Sequence, residues 1–431
     1  MKKLSFFQII LLWIFGALAV AGVLVFSFAI GNNSANTVGP ISIWGTLDSA
    51  AFSPTIQSAA ESNPIFKEVT YEAKDPTTYE SDLTTALANG AGPDLFILRQ
   101  DYILRDAGKI TPVPPASMSM SQFQITFIDA ANPYFFSGGA LGIPLFVDPL
   151  VLYWNRDMLS SAGYVRPPVY WEELGGMAKT ITKKNDTGKI LKSLIAFGEY
   201  ANVTNAKDIL SVLIFQAGGT ITSVDASGNL LPTLKTQGDA MQAAENALNF
   251  YTKFANPSKS EYTWNRSLPE SRKAFAAGDV ALYIGFASEG PLITQINPNL
   301  NMGVAAMPQI KIANRSINIA HVYGVAISRV GKNQMGALTI AANLASLQMG
   351  KDLAGKLHIP SALRDILAQP ADGNADLYNK QAILARSWRD PDPEKTEVIF
   401  RDMIERVTAG SLSISDAVQK ANEELGQALG Q

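Results

Sequence analysis

Two α/β lobes behind one N-terminal apolar helix are the fold that the sequence predicts, and three observations predict it. The chain has 431 residues, more than a single compact core accommodates, so two domains are the natural division. From Ile41 onward, short apolar strands alternate with helical patterns, the order that builds α/β layers. Ahead of them, an uncharged run from Ile9 to Ile30 follows Lys2 and Lys3.

That apolar run comes first in the argument because it sets the compartment. At about 1.5 Å rise per residue, a helix from Ile9 to Ile30 crosses a hydrocarbon core of about 30 Å. The two lysines favour a cytoplasmic N-terminus over residues 1–8, an anchor at 9–30 and a tether at 31–37. The expectation is a single-pass cell-membrane protein whose C-terminal domain is extracytoplasmic. Cleavage near Ser27-Phe28-Ala29 is the rival reading, although the run exceeds the usual signal core of about 7–15 residues. The chain contains no cysteine, which excludes disulfides, Fe–S clusters, thiolate catalysis and an acylated N-terminal Cys. A formal net charge of −3 provides no basic field for a polyanion, which argues against nucleic acid as a partner.

The exported part begins with strand Ile41–Trp44, a helix around Thr55–Glu61 and strand Val69–Ala73. Tyr79–Ala88 reads as a helix with Leu83 and Leu87 one turn apart, ended by Asn89-Gly90. Leu95–Leu98 is a buried strand by its continuous apolar run, and the β-α-β-α-β order implies a mainly parallel sheet. Leu141–Asn155 reads as two strands interrupted at Asp148-Pro149, which suggests a crossing between lobes or a sheet edge. Helices follow at Ala206–Phe215, Asp239–Phe254, Pro269–Ala277 and Gln334–Gln348, with strands at Val280–Ile284, Met302–Ala306 and Gly324–Ile327. Helix Glu394–Val407 and a last helix opening at Ser413, with Asp416 at S-x-x-D spacing, complete the chain.

Catalytic constellations are missing. The two histidines, His321 and His358, lack metal-ligand spacing, and no H-E-x-x-H, G-x-S-x-G or Walker loop occurs. Gly285–Gly290 fails a nucleophile elbow on spacing, and Gly90-Ala91-Gly92 lacks the third glycine of a dinucleotide loop. Glu172 and Glu173 point about 100° apart on a helix and suit its first turn better than acid–base work. The expectation is a non-enzyme without catalytic residues, metal site or cofactor.

An ordered series of segments then resembles a known family. It includes Ile41–Trp44, Gly92-Pro93-Asp94-Leu95-Phe96, Gly108–Pro112, Gly142-Ile143-Pro144 and Leu152–Asp157. It continues through Trp171-Glu172-Glu173-Leu174, Gln216–Gly219, Phe275–Leu282, Gly303–Pro308 and Gly324–Ser328. In number, order and spacing these resemble the extracellular solute-binding proteins of ABC importers, the family of maltose-binding protein. The resemblance implies a type II periplasmic-binding-protein-like fold of two lobes closing at a hinge. On that basis residues 38–146 and 320–355 form the first lobe and 147–319 and 356–431 the second.

The resemblance also implies ligand contacts, each with an ordinary structural role beside it. Trp44 and Asp48 match cleft positions after the first strand, where a strand-end Trp is ordinary. Asp101 and Tyr102 follow the third strand, where Asp101 also suits a helix cap. Asp148 matches an acidic position beside the hinge, and Tyr200, Asn202 and Asn205 a polar loop in which Asn205 alternatively caps a helix. Phe286 and Ser288 follow a strand where many relatives stack a Trp near the position of Ser288, and Trp388 matches a late cleft aromatic. The implied function is binding of a small, sugar-like solute for ABC permease subunits, with the N-terminal helix holding the protein to the membrane. A sensor or adhesion ectodomain that reuses the fold is the alternative.

Overall fold

The computed structural model describes residues 37–235, 242–313 and 315–431. The anchor expected at 9–30, and the tether up to residue 36, lie outside the described residues. Among the described residues no helix is long and apolar enough to cross a membrane.

The first lobe opens with β1 (Ile41–Gly45), α1 (Ser49–Ser62), β2 (Val69–Ala73), α2 (Tyr79–Ala88) and β3 (Leu95–Arg99). β1 pairs in parallel with β2 on one side and β3 on the other, the outcome of helices returning the chain to the same end of the sheet. Leu83 and Leu87 of α2 are buried as their one-turn spacing requires.

The stretch read as two strands is a single 13-residue strand, β4 (Ile143–Asn155), which runs unbroken through Asp148-Pro149. Later elements explain this: β5 (Ile190–Ile195), α3 (Ala206–Gln216), β6 (Val280–Phe286), α4 (Glu289–Ile296), β7 (Met302–Ala305) and β8 (Asn318–Ser328). β4 pairs antiparallel with β8 over Ile143–Pro149, then with β6 and β7 over Leu150–Asn155. The missing N–H of Pro149 falls at the seam between the two ladders, and its carbonyl accepts from Ala287 N at 3.0 Å. One sheet therefore runs β2-β1-β3-β8-β4-β6-β5 through the molecule. The three strands of the β-α-β-α-β order pair in parallel as expected, while the sheet as a whole is mixed, because β8 lies antiparallel to β3 and β4 antiparallel to β6.

Buried side chains fall into two cores. One takes Ile41 to Val147 together with Ala320 to Ala385; the other takes Leu150 to Ile319 together with Tyr378 and Trp388 to Leu425. The chain thus passes between cores at Asp148-Pro149, at Ile319/Ala320 and between Ala385 and Trp388. Ile359, Leu363 and Leu367 pack in the first core, although the sequence reading places 356–431 in the second lobe. Backbone bonds hold them there: Val147 N donates to Pro360 O at 2.8 Å and Ala362 N to Leu145 O at 2.9 Å.

The remaining helices are α5 (Gln334–Leu344), α6 (Leu347–Leu357), α7 (Asn374–Leu384), α8 (Pro393–Thr408) and α9 (Ile414–Ala428). The single helix expected over Gln334–Gln348 is two helices, because Ser346 caps a fresh start by accepting from Met349 N. Ser413 caps α9, accepting from Asp416 N at 3.1 Å, as the S-x-x-D spacing requires.

Candidate functional site

Three connections converge where the lobes meet. Arg99–Tyr102 leaves the C-terminal end of β3, Asn205–Asp208 opens α3, and Trp388–Glu397 enters α8. With Ile319 and His321 of β8 they enclose a cavity of about 330 Å³, at the small end of the range of about 300–1,000 Å³ for small-molecule sites. Strand carboxyl ends are where open α/β sheets bind ligands, because the loops there leave backbone and polar groups unpaired by the sheet.

Each connection is fixed from below. Gln100 accepts from Val322 N at 2.6 Å, and Tyr134 donates to Leu98 O at 2.6 Å, so the end of β3 is pinned to β8. Asn205 stands at φ 61°, in the left-handed region that Asn tolerates, and its Nδ2 donates to Glu289 Oε1 at 2.7 Å. Gly198 turns the preceding loop at φ +90°, and a Cβ there would sit 2.6 Å from Ala255 N. Pro393 begins α8 where its absent N–H costs nothing, and Asp392 caps it through Glu394 N at 3.1 Å.

The cavity wall is built of ion pairs. Arg99 grips Asp101 through both carboxylate oxygens, at 2.7 and 2.6 Å. Burial pushes the Asp101 carboxyl up, but the Arg99 guanidinium outweighs it and brings it down to about 2. Lys207 donates to Asp390 at 2.7 Å and to Thr396 Oγ1 at 2.6 Å. Burial raises the Asp390 carboxyl to about 6 even with Lys207 beside it. His321 Nε2 lies 3.2 Å from Asp208 Oδ1, and its ring stacks on Phe286 at 4.1 Å. Arg105 of the first lobe reaches Glu394 of α8 at 2.7 Å, and Tyr200 donates its hydroxyl to Glu397.

The eleven residues anticipated as ligand contacts separate into four groups. Asp101, Tyr102, Asn205 and Trp388 line the cavity. Tyr200 and Phe286 reach it through Glu397 and His321, which they touch. Asp148 lies beneath it: 2% exposed and opposite His321 in register, it accepts from Ser288 N at 3.0 Å. Burial raises the Asp148 carboxyl to about 6.

Four residues stand apart from the cavity lining. Trp44 is half-buried with the Lys74 ammonium 3.6 Å from its ring centroid, and Asp48 is exposed and caps α1 through Ala50 N at 2.9 Å. Asn202 is spent on the second core, donating to the carbonyls of Asn265 and Leu268 and accepting from Trp264 Nε1. Ser288 is exposed and opens α4. Arg99, Lys207, Asp208, His321, Asp390, Glu394 and Glu397 line the cavity without having been singled out from the sequence.

A larger cavity of about 900 Å³ lies between α4, α6 and α7. Asn318 bonds Gln381 of α7 whereas Ile319 and His321 face the smaller cavity, so strand alternation puts the two on opposite faces of β8. The larger one is walled mainly by Ala, Pro, Met, Val and Ile, with Lys351 and His358 its ionisable side chains apart from Tyr378. The smaller is the one where converging, mutually fixed polar groups meet aromatic faces, which is what orients a polar solute.

Comparison with known proteins now bears on this geometry. The sequence profile of the bacterial extracellular solute-binding protein family matches residues 49–349. The chain belongs to that family. Among curated relatives, a binding protein of Brucella abortus (strain 2308) is 24% identical over 269 residues, 58% of this chain. The match spans 61% of that relative's length. An ABC transporter-binding protein of Deinococcus radiodurans is 28% identical over 180 residues, 40% of this chain and 39% of its own.

The same fold appears in solved solute-binding proteins. The cyclic α-maltosyl-1,6-maltose binding protein of Arthrobacter globiformis superposes with a TM-score of 0.75 at 14% identity, over 91% of this chain and 99% of its own. A cyclo/maltodextrin-binding protein complexed with maltotetraose gives 0.72 at 16%, covering 92% and 98%. A solute-binding protein of Thermotoga lettingae bound with α-D-tagatose gives 0.68 at 20%, covering 92% and 100%.

Proposed function

We propose that this protein is the extracytoplasmic substrate-binding component of an ABC importer and takes a small carbohydrate-like solute between its lobes. The observation that carries this reading is the cavity of about 330 Å³ to which both cores contribute loops and in which aromatic and hydrogen-bonding side chains converge. Hydroxyl-rich solutes need that combination, stacking for their C–H faces and fixed donors and acceptors for their hydroxyls. The relatives named for sugars support the same ligand class. Three strand crossings between the cores support closure about a hinge, with ligand shifting the population toward the closed form. Lys2, Lys3 and the apolar run Ile9–Ile30 support tethering at the outer face of the membrane, beside a permease partner.

The test is a thermal-shift panel of mono- and oligosaccharides on the full-length protein, paired with native mass spectrometry of the freshly purified sample. A sugar that raises Tm in a concentration-dependent way is expected. Stabilisation by amino acids, peptides or metal ions, with none by sugars, would overturn the ligand class.

A further inference from the structure

We propose that the solute carries a protonated amine and that Glu397, oriented by Tyr200, is the group that holds it. This rests on the interlobe cavity being the solute site.

The inference follows from matching the charges of the wall one by one. Five carboxylates line the cavity, and four have a dedicated partner: Asp101 has Arg99, Asp390 has Lys207, Glu394 has Arg105 and Asp208 has His321. Glu397 is the exception, since among the described residues no Lys, Arg or His approaches it within ion-pair distance. Its partner is the Tyr200 hydroxyl, which fixes the carboxylate and leaves its charge uncompensated. Against five carboxylates stand the three permanent cations Arg99, Lys207 and Arg105, which leaves two negative charges in excess when His321 is neutral. A cleft with low-dielectric walls concentrates such a field and draws cations into it.

An anionic solute finds no unengaged cation here, because both Arg99 and Lys207 are already bound to carboxylates. A neutral polyol satisfies hydrogen bonds but leaves the excess charge as it was. A protonated amine replaces water on Glu397 with a charge-assisted hydrogen bond, while the rings of Tyr102 and Trp388 receive the rest of the solute. Glu397 is exposed on the side of α8 and belongs to neither core, so its charge can be removed without touching packing.

The experiment is calorimetric titration of the full-length protein with matched probes. These are the gluco, galacto and manno 2-amino-2-deoxyhexoses, the glucosamine disaccharide, and the N-acetyl form of each. The amine of at least one pair is expected to bind tenfold or more tighter than its acetylated twin, with affinity that falls as salt rises. Glu397→Gln, which keeps the hydrogen bond from Tyr200, should bring that ratio to about one while leaving Tm unchanged. Equal or tighter binding of the acetylated forms, or a preference that survives Glu397→Gln, overturns the assignment. Binding of neutral sugars such as maltotriose with no binding of any amine also overturns it, yet leaves the carbohydrate reading standing. No binding by any sugar overturns both.

Discussion

Lys207 and Asp390 give the most demanding test of how the cleft wall is held. The side chains are 9% and 1% exposed and sit 2.7 Å apart, with Thr396 bonded to both. Lys207→Met keeps most of the aliphatic stem and removes the charge, leaving Asp390 with only Thr396 Oγ1 and Asp392 N as donors. Removing one partner of a buried pair typically costs about 3–5 kcal/mol, because the other charge stays desolvated. At about 2–4 °C per kcal/mol for a unit of this size, Tm should fall by about 6–20 °C at pH 7.5. The deficit should shrink toward pH 5, where the Asp390 carboxyl, already raised to about 6, takes up a proton. Adding Asp390→Asn to Lys207→Met should restore at least half of the loss, since no uncompensated charge remains. The measurement is thermal and urea unfolding of the wild type, both single variants and the double variant at the two pH values. A loss below about 1 kcal/mol for Lys207→Met, or a double variant no better than it, would refute the reasoning.

Other consequences follow from the same wall and its supports. Asp148 and Asp390 both have folded-state carboxyls raised to about 6, so each contributes stability fully below pH ~4 that is lost as pH rises through 6, about 3 kcal/mol apiece. Asp101, held at about 2, contributes stability above pH ~4 that is lost as pH falls, so Tm should be highest near pH ~4 and fall between about pH 4 and 6; a Tm flat from about pH 4 to 8 would contradict this. Trp388 is 9% exposed and packs on Phe400 within the second core, so Trp388→Ala should cost about 3 kcal/mol as well as affinity. Trp44→Ala, at a half-buried position, should cost about half as much, and equal losses in denaturant titrations would count against the burial difference. Gly198→Ala combines a strained φ of +90° with a Cβ 2.6 Å from the Ala255 nitrogen, and should lower stability by about 2–4 kcal/mol. A change below about 0.5 kcal/mol would show that this loop relaxes freely.

Much of the scaffold was legible in the sequence because it rests on local signals. The one-turn spacing of Leu83 and Leu87 set α2, and Ser413 with Asp416 set the start of α9. The continuity of β4 was not legible, because Pro149 reads locally as a strand breaker. Only the change of partners from β8 to β6 and β7 makes its missing N–H harmless. Site residues divide on the same line. Asp101, Tyr102 and Asn205 sit in loops directly after or before recognisable elements, so the family resemblance could be carried onto them by position. Lys207 and Asp208 lie inside a helix pattern, and Glu394 and Glu397 on what reads as a solvated helix face. His321 is a lone histidine in a strand, for which a core role is the ordinary reading. Their convergence is a product of three chain crossings between the cores, which no local spacing encodes. Asn202 went the other way: its amide closes contacts with Trp264, Asn265 and Leu268, a long-range packing role invisible in its loop sequence.

The central claim is that the solute enters the polar interlobe cavity and not the larger apolar one on the other face of β8. Calorimetry with the sugar that gives the largest thermal shift separates the two, using Asp101→Asn for the first and Asn379→Ala for the second. The account predicts at least a tenfold loss of affinity for Asp101→Asn and unchanged binding for Asn379→Ala. Unchanged affinity for Asp101→Asn together with a tenfold loss for Asn379→Ala would contradict it and move the site to the cavity between α4, α6 and α7.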